Sequence, residues 1–195
     1  MDEIKKLSEL DDNQLSQSID VFIEGFYITL KNVSKDKDKL RELFKCSFDY
    51  DMTYAFLHDG IAIGFLGLAD HQKRPINFDK ELFLKIIGSG LAGKSSYKAV
   101  NAAFEGVKDI SPQDIYIDYI ATSPEYRSKG IGAQIIAFVR DTLGHKHIQL
   151  ETYSKNTRAI SFYERLGFRV IKVKKSLMMA ISGFGSLVTI RFDAD

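Results

Sequence analysis

Arg127-Ser128-Lys129-Gly130-Ile131-Gly132-Ala133 is the stretch that decides the fold. It lies between an apolar, β-branched run from Ile115 to Thr122 and an amphipathic helical pattern from Ile131 to Leu143. The first backbone N–H groups of a helix have no intrahelical partner, and glycine lets an anion approach the main chain closely. A strand that leads into a helix through a turn with two glycines and two cations therefore predicts a phosphate-binding site.

Two common phosphate-binding motifs do not fit this turn. A P-loop requires lysine and then serine or threonine directly after its last glycine, whereas Ile131 and Ala133 follow the two glycines here. A dinucleotide-binding fingerprint requires a third glycine, and Gln134 and Ile135 occupy the positions where it should be. The pattern that remains is Arg-x-x-Gly-x-Gly after a strand.

A second motif predicts a short capped helix further along the chain. Its residues are Asn156, Ala159, Phe162, Tyr163, Glu164, Gly167 and Phe168. The stretch 120–132 resembles the acetyl-CoA-binding motif of the GCN5-related N-acetyltransferases (GNAT), whose core is Arg/Gln-x-x-Gly-x-Gly/Ala. The second motif is similar to that family's Asn-x-x-Ala-x-x-hydrophobic-Tyr-x-x-x-Gly-Phe. Both occur in the family's order and spacing, and together they cover roughly residues 110–170.

The resemblance implies an α+β (mixed α/β) fold of the GNAT type, in which helices flank a central mixed, mostly antiparallel sheet of about seven strands. The helical N-terminal section, a hairpin and two C-terminal strands agree with that fold. Residues 70–110 do not, and they look like a helical insertion. Because 195 residues can bury one substantial core, we expect a single domain over 1–195, with its cofactor-binding part at about 110–170.

Capping residues and hydrophobic periodicity predict the remaining elements. The expected helix starts are Asp11-Asp12-Asn13, Ser34, Asp79 (with a stop at Gly88), and Ser95 or Ser96. The β-like runs 52–57 and 61–69 are joined by His58-Asp59-Gly60, which predicts a hairpin because such a turn needs positive φ. The other strands are predicted at 4–10, 110–122, 148–153, 170–173 and 187–192.

Composition gives expectations about where the protein is located and which partners it binds. The net charge of +1 provides no global field that would attract nucleic acid or an anionic membrane. The single cysteine, Cys46, excludes an intrachain disulfide and favours a reducing compartment. The first residues lack the apolar core of a signal peptide, and the longest uncharged stretch, 176–190, is shorter than the roughly 20 residues of a spanning helix. These features predict a cytoplasmic protein with neither a nucleic-acid nor a membrane partner.

The resemblance also implies where acetyl-CoA binds. Main-chain groups of Ile120 and Thr122 would contact its acetyl and pantetheine parts, and the amides of residues 128–133 would surround its pyrophosphate. Simpler interpretations stay open for two side chains: a surface arginine bonded to its own turn for Arg127, and a plain helix cap for Asn156. The implied cofactor-binding residues are Ile120, Thr122, Arg127, Ser128, Lys129, Gly130, Ile131, Gly132, Ala133 and Asn156.

Tyr163 is the catalytic residue that the resemblance implies, because the matching tyrosine of the family lies near the thioester sulfur. Free tyrosine has a pKa of about 10 and a thiol a pKa of about 8.5, so full proton transfer to the leaving thiolate is uphill by roughly 2 kcal/mol. Hydrogen-bond donation to the developing thiolate is therefore at least as good an account. The structural alternative is an ordinary half-buried aromatic residue.

The acceptor amine requires a base. An amine of pKa about 10.4 is neutral about once in 2,500 molecules at pH 7, at a cost of roughly 4.6 kcal/mol. Asp118 is the first candidate because it lies two residues before Ile120, which should place both on one strand face, and Glu24 is a second candidate. A structural role is the alternative for each. His145 and His147 lack enough suitably spaced partners for a metal site, so no metal is expected.

Together these features predict an acetyl-CoA-dependent N-acetyltransferase in which a primary amine, of a small molecule or of a peptide or protein, attacks the thioester directly. The alternative is a non-catalytic acyl-CoA-binding or sensing module with the same fold. The acceptor side should involve the helices near 15–46, the insertion 70–110 and the C-terminal strands. The apolar helices of the insertion are expected to cover the acceptor cleft or to form a homodimer contact.

Overall fold

The computed structural model describes residues 1–104, 110–175, 183 and 185–194 of the 195-residue chain. Its strands are β1 (Asp2–Lys6), β2 (Thr53–His58), β3 (Ile61–Ala69), β4 (Asp114–Thr122), β5 (His147–Tyr153), β6 (Arg169–Lys174) and β7 (Leu187–Asp193). Its α-helices are α1 (Asp12–Leu30), α2 (Lys37–Ser47), α3 (Lys80–Ile87), α4 (Leu91–Phe104), α5 (Ile131–Ala137) and α6 (Thr157–Arg165). A π-helical segment, Phe138–Thr142, continues α5.

The seven strands of the described residues form one sheet in the order β1-β2-β3-β4-β5-β7-β6. Neighbouring strands are antiparallel except β4 and β5, which are parallel. A parallel pair needs a crossover connection, and α5 lies in it. The predicted mixed, mostly antiparallel sheet of about seven strands with flanking helices is confirmed.

Two apolar clusters hold the helices against the sheet. The first core cluster joins α1, α2 and α3 to strands β2, β3 and β4, and the ring of Phe22 lies 4.8 Å from that of Phe44 and 5.1 Å from that of Phe65. The second core cluster joins α5 and α6 to the strands, and its members Val139 and Ile148 are fully buried. Apolar area removed from water stabilises each layer by about 25 cal/mol per Å².

The local signals located the starts of α1 and α3 but not those of α2 and α4. Asp11 accepts a hydrogen bond from the Gln14 amide, as an N-cap of α1 should, and Asp79 caps α3, which ends at Gly88. The expected cap of α2 at Ser34 is wrong, because Asp36 accepts hydrogen bonds from the Asp38 and Lys39 amides instead. The expected start at Ser95 or Ser96 is also wrong, because α4 already begins at Leu91.

The hairpin prediction is confirmed. Asp59 and Gly60 have φ of 48° and 79°, and His58 pairs with Ile61 across the turn. Two strands have other bounds than expected: β1 runs from Asp2 to Lys6 rather than over 4–10, with a 3-10 turn after it, and β4 begins at Asp114 rather than at residue 110. The strands expected at 148–153, 170–173 and 187–192 correspond to β5, β6 and β7.

The predicted insertion contains α3 and α4, and its residues 105–109 lie outside the described part of the chain. Phe83 and Ile86 of α3 belong to the first core cluster. At the end of α4 the ring of Phe104 lies 6.0 Å from that of Tyr119 on β4. The insertion therefore packs onto the helical layer and reaches the central strand. Among the described residues, no helix combines the length and apolarity needed to cross a membrane.

Candidate active site

β4 and β5 separate part of the way along their length. Their parallel pairing ends at Ile117↔Leu150. Beyond that point β4 continues beside β3, and β5 continues beside β7. A gap therefore opens between residues 118–122 of β4 and 151–153 of β5. Backbone groups along such a gap are not bonded across it, so an extended, amide-containing ligand arm can take the place of a strand.

The glycine turn joins the end of β4 to the start of α5. Ser128 and Gly130 have positive φ values of 64° and 87°, and Gly130 is the residue that precedes the helix. The Gln134 amide makes the first bond of the helix, to the Gly130 carbonyl, at 3.1 Å. The amides of residues 131–133 therefore precede the first intrahelical bond, and a helix start of this kind favours an anion. The turn is therefore a candidate anion site.

Gly132 has a packing role that the sequence did not indicate. A Cβ at this position would lie 3.1 Å from Cζ of Phe162, on α6. The absence of a side chain at Gly132 therefore lets the start of α5 approach α6 closely. The two motifs that carry the family resemblance are in contact with each other.

The two cations of the turn contact the turn itself. Nε of Arg127 donates to the Thr122 carbonyl at 3.3 Å, which is the simpler interpretation that the sequence left open. Nζ of Lys129 lies 4.7 Å from the centroid of the Tyr126 ring. Both side chains belong to exposed residues, and their countercharge role toward a phosphate remains a prediction.

The sequence patterns did not identify a third cation, Arg158. Its Nη2 donates to Oγ of Ser128 at 2.7 Å, which brings a positive charge from the first turn of α6 to the glycine turn. The position of Arg158 could have indicated this role, because it follows Asn156 by two residues in a helix start that the second motif predicts to lie beside the cofactor. Three cationic side chains thus belong to the glycine turn or contact it.

Asn156 is the N-cap of α6. Its Oδ1 accepts a hydrogen bond from the Ala159 amide at 3.3 Å, and its Nδ2 donates to Oγ1 of Thr152 at 3.4 Å. These contacts match the plain helix cap that the sequence left as the alternative. The residue is exposed, and its contact with the cofactor remains a prediction.

Tyr163 is buried in the second core cluster, which also contains Ile117 and Leu150, the last paired residues before the gap. Its ring lies 5.0 Å from that of Phe162 and 5.5 Å from that of Phe168. Burial raises the pKa of the Tyr163 hydroxyl well above its ordinary value. The side chain therefore stays protonated at neutral pH and can donate a hydrogen bond.

The expectation that Asp118 shares a strand face with Ile120 is wrong. The register of β4 against β3 shifts at this point, so that Asp118 is one extra residue. Both Asp118 oxygens accept hydrogen bonds of 2.7 Å from Arg74, whose guanidinium lies over the Phe104 ring beside the first core cluster. Ile120 packs on the second core cluster, on the other face. The role of Asp118 as a base is left as a prediction that this ion pair disfavours.

Glu151 is a carboxylate at the gap, and no sequence pattern identified it as a candidate base. It is the first residue of β5 beyond the last β4–β5 pair, and it is exposed. Its Oε2 accepts a hydrogen bond from the Tyr116 hydroxyl at 2.9 Å. Burial, and then the neighbouring Glu151 charge, raise the pKa of Tyr116 far above its ordinary value, so Tyr116 remains a donor to this carboxylate.

The second base candidate from the sequence, Glu24, lies on α1 and pairs with Lys37 at 3.5 Å; both side chains are substantially exposed. Its role also remains a prediction. Among the described residues, no group of three or more His, Cys, Asp or Glu side chains is arranged to hold a metal ion.

A cavity of about 360 Å³ lies at the opposite end of β4, where Asp114 and Ile115 line it. Leu143 and His145, which follow the α5 crossover helix, also line it. Asp114 is already engaged by Arg191 and Gln149. The cavity is separated from the glycine turn by the length of α5 and its π-helical extension.

The profile of the acetyltransferase (GNAT) family matches residues 22–168. No curated protein sequence matches the chain. An N-acetyltransferase from Staphylococcus aureus Mu50 is 14% identical, with a TM-score of 0.61 over 97% of this chain and 99% of that chain. A Bacillus subtilis acetyltransferase in complex with CoA is 15% identical, with a TM-score of 0.56 over 100% of both chains. The ribosomal-protein-S18-alanine N-acetyltransferase from Escherichia coli is 13% identical, with a TM-score of 0.55 over 99% and 94%.

The chain belongs to the acetyltransferase (GNAT) family, because the family profile matches most of its length. The family resemblance inferred from the two motifs is confirmed. The similar structures share the fold of this chain. Family membership supports acyl transfer in general, with a CoA thioester as the cosubstrate.

Proposed function

We propose that this chain transfers an acetyl group from acetyl-CoA to a primary amine by direct attack of the amine on the thioester. The observation that carries the proposal is the gap that opens after Ile117↔Leu150. The glycine turn follows β4 beyond this gap, and Tyr163 belongs to the same core cluster as Ile117 and Leu150. The pantetheine arm would lie in the gap and the pyrophosphate on the turn amides. The amine would enter from the face of the sheet that carries Glu151.

Tyr163 is proposed to stabilise the leaving thiolate. Its raised pKa makes full proton transfer to sulfur less favourable than for a free tyrosine, so donation of a hydrogen bond is the better description. A hydrogen bond to a charged group is worth about 1.5–3 kcal/mol, or roughly 10- to 150-fold in rate. This contribution grows only as charge develops on sulfur, so it should act on kcat.

Glu151 is the proposed acceptor of the amine proton, directly or through water. Its carboxylate lies at the gap and is exposed, whereas the Asp118 carboxylate is 3% exposed and engaged by Arg74. We expect Glu151→Gln to lower kcat at saturating acetyl-CoA by about 100-fold or more. Asp118→Asn should lower that kcat far less. The reverse ranking of the two variants would assign the base to Asp118.

The test of the overall function is release of free thiol from acetyl-CoA in the presence of a panel of small-molecule amines and of peptides with free N-termini. Activity with at least one amine, and its reduction by about 10- to 100-fold in Tyr163→Phe with unchanged CoA affinity, is the expected result. Tight CoA binding without turnover of any amine, together with no effect of Tyr163→Phe, would instead support the acyl-CoA-binding or sensing module.

The whole chain, 1–195, is proposed to act as one domain, because its sheet pairs both ends of the chain with its middle: Asp2 with His58, and Asp193 with His147. The insertion's contact with β4 through Phe104 supports a role at the edge of the acceptor cleft. A cytoplasmic location and a homodimer remain predictions from the sequence, which a tagged protein in cells and sedimentation of the purified chain would test.

A further inference from the structure

β4 changes its orientation at Asp118. Leu68 pairs with Ile117 and Gly67 pairs with Tyr119, so Asp118 is the extra residue of a β-bulge. Before the bulge Ile117 faces the second core cluster, and after it Tyr119 faces the first. Without the extra residue, strict alternation would place both on one face. The bulge therefore decides which groups of β4 face the gap.

The bulge coincides with the end of β4–β5 pairing. Ile117↔Leu150 is the last parallel pair, and Asp118 is the next residue of β4. A bulge bends its strand and increases the local twist, which moves the following residues away from the former neighbour. The position and width of the gap for the pantetheine arm therefore depend on the geometry at Asp118.

Arg74, from the insertion, holds this bulge. Its Nε and Nη2 each donate a hydrogen bond of 2.7 Å to one Asp118 oxygen, and the two side chains are 9% and 3% exposed. Two parallel bonds from a planar guanidinium fix orientation as well as distance. The guanidinium also lies 5.2 Å from the centroid of the Phe104 ring.

The segment that carries Arg74 is itself anchored. The Pro75 carbonyl accepts a hydrogen bond from the Asp49 amide at 2.8 Å, and the Asn77 amide donates to the Ser47 carbonyl at 2.8 Å. A Cβ on Gly67, which pairs with Tyr119 beside the bulge, would lie 3.2 Å from Cγ of Pro75. Arg74 thus joins the β3–α3 connection, which is anchored to the end of α2 and to Asp49, to the middle of β4.

We propose that Arg74 is a positioning residue, which fixes the bulge at Asp118 and thereby the gap that receives the pantetheine arm of CoA. This inference rests on the proposed function, since it takes CoA to be the ligand of the gap. Removal of the guanidinium should affect the glycine turn less than the gap, because the end of β4 that leads to the turn is also held on β3 by the pairing of residues 120–122. Binding of the adenosine phosphates and binding of the arm should therefore respond differently.

The experiment compares CoA with adenosine 3′,5′-bisphosphate, which lacks the pantetheine arm and the phosphate attached to it, by titration calorimetry on the full chain. We expect Arg74→Met to weaken CoA binding about tenfold, or about 1.4 kcal/mol, and to leave adenosine 3′,5′-bisphosphate binding within about twofold. Arg74→Lys keeps the charge without the paired hydrogen bonds and should weaken CoA binding about threefold. This milder variant decides the question if Arg74→Met does not fold.

Arg191→Met is the matched control. Arg191 also makes two hydrogen bonds, of 2.9 and 3.2 Å, to a buried β4 carboxylate, that of Asp114, but at the end where β4 and β5 are paired. It should lower the melting temperature and leave both affinities within about twofold. Equal weakening of both ligands by the Arg74 variants, or no change in either, would overturn the inference. Failure of the wild-type chain to bind CoA at all would refute the proposed function, and this inference with it.

Discussion

Gly130 and Gly144 flank the same helical segment and share a backbone conformation. Their φ values are 87° and 71°, and a Cβ on either would meet no atom within 4 Å. Alanine should therefore cost each position similar backbone strain, about 1 kcal/mol of unfolding free energy. The two positions differ in surroundings, because only Gly130 belongs to the turn that precedes the free amides of α5.

We expect Gly130→Ala to weaken CoA binding by about 3- to 10-fold, because relief of strain at this residue reorients the amides that face the pyrophosphate. Gly144→Ala should lower stability by a similar amount and leave CoA affinity unchanged. Urea denaturation and calorimetric titration of both variants provide the two readouts. Equal CoA affinity in both variants would show that the turn does not bind the cofactor.

For single residues, the sequence predicted a role correctly where that role depends on neighbouring residues in the chain. The glycines of the turn, the capping side chain of Asn156 and the aromatic Tyr163 follow from short-range patterns, and the structure places each on the expected element. Arg74 and Arg158 were missed because their partners lie far along the chain, 44 and 30 residues away. No short-range pattern marks an arginine as the partner of a distant carboxylate or hydroxyl.

At the level of elements, the contact between α5 and α6 joins the two family motifs through Gly132 and Phe162. A Cβ at Gly132 would lie 3.1 Å from the Phe162 ring tip, so the ring would have to move by a few tenths of an ångström. Overpacking of this kind costs about 1–3 kcal/mol, whereas the helical preference of alanine over glycine returns at most about 1 kcal/mol. The steric effect should prevail.

Gly132→Ala is therefore expected to destabilise the chain by roughly 1 kcal/mol in the wild-type background. In a Phe162→Leu background, which removes the ring, the same substitution should be neutral or stabilising. The coupling between the two sites should be about 1–2 kcal/mol in a double-mutant cycle measured by urea denaturation. An identical effect of Gly132→Ala in both backgrounds would show that the two helices do not depend on this contact.

The elements that sequence patterns located correctly are those with a local cause. The Asp59-Gly60 turn needs positive φ, and Asp11 and Asp79 provide oxygen acceptors at helix starts. The bulge at Asp118 has no such signal, because it is defined by the pairing of β4 with Gly67 and Leu68 of β3. Strand alternation alone therefore placed Asp118 on the wrong face.

Across the whole molecule, buried tyrosines connect the sheet to both helical layers. Tyr119 belongs to the first core cluster and Tyr163 to the second, and Tyr116, also buried, lies on β4 three residues before Tyr119. Burial is the largest cause that raises the pKa of each hydroxyl. The Tyr119 hydroxyl oxygen is buried without a hydrogen-bond partner among the described residues.

These tyrosines should make the fold sensitive to alkali. In the unfolded chain a tyrosine ionises near pH 10, whereas in the folded chain each of the three remains neutral. Their contribution to the unfolding free energy is therefore complete below about pH 10 and is lost as the pH rises above it. Three such groups should lower the unfolding free energy by about 4 kcal/mol per pH unit above pH 10, measured by urea denaturation from pH 8 to 11. Tyr119→Phe should reduce that slope by about 1.4 kcal/mol per pH unit. At pH 7 the same substitution should leave the unfolding free energy unchanged or raise it, because it removes a buried hydroxyl that has no hydrogen-bond partner among the described residues. An unchanged slope in Tyr119→Phe would mean that Tyr119 ionises equally in the folded and unfolded chain, and so that its hydroxyl reaches water.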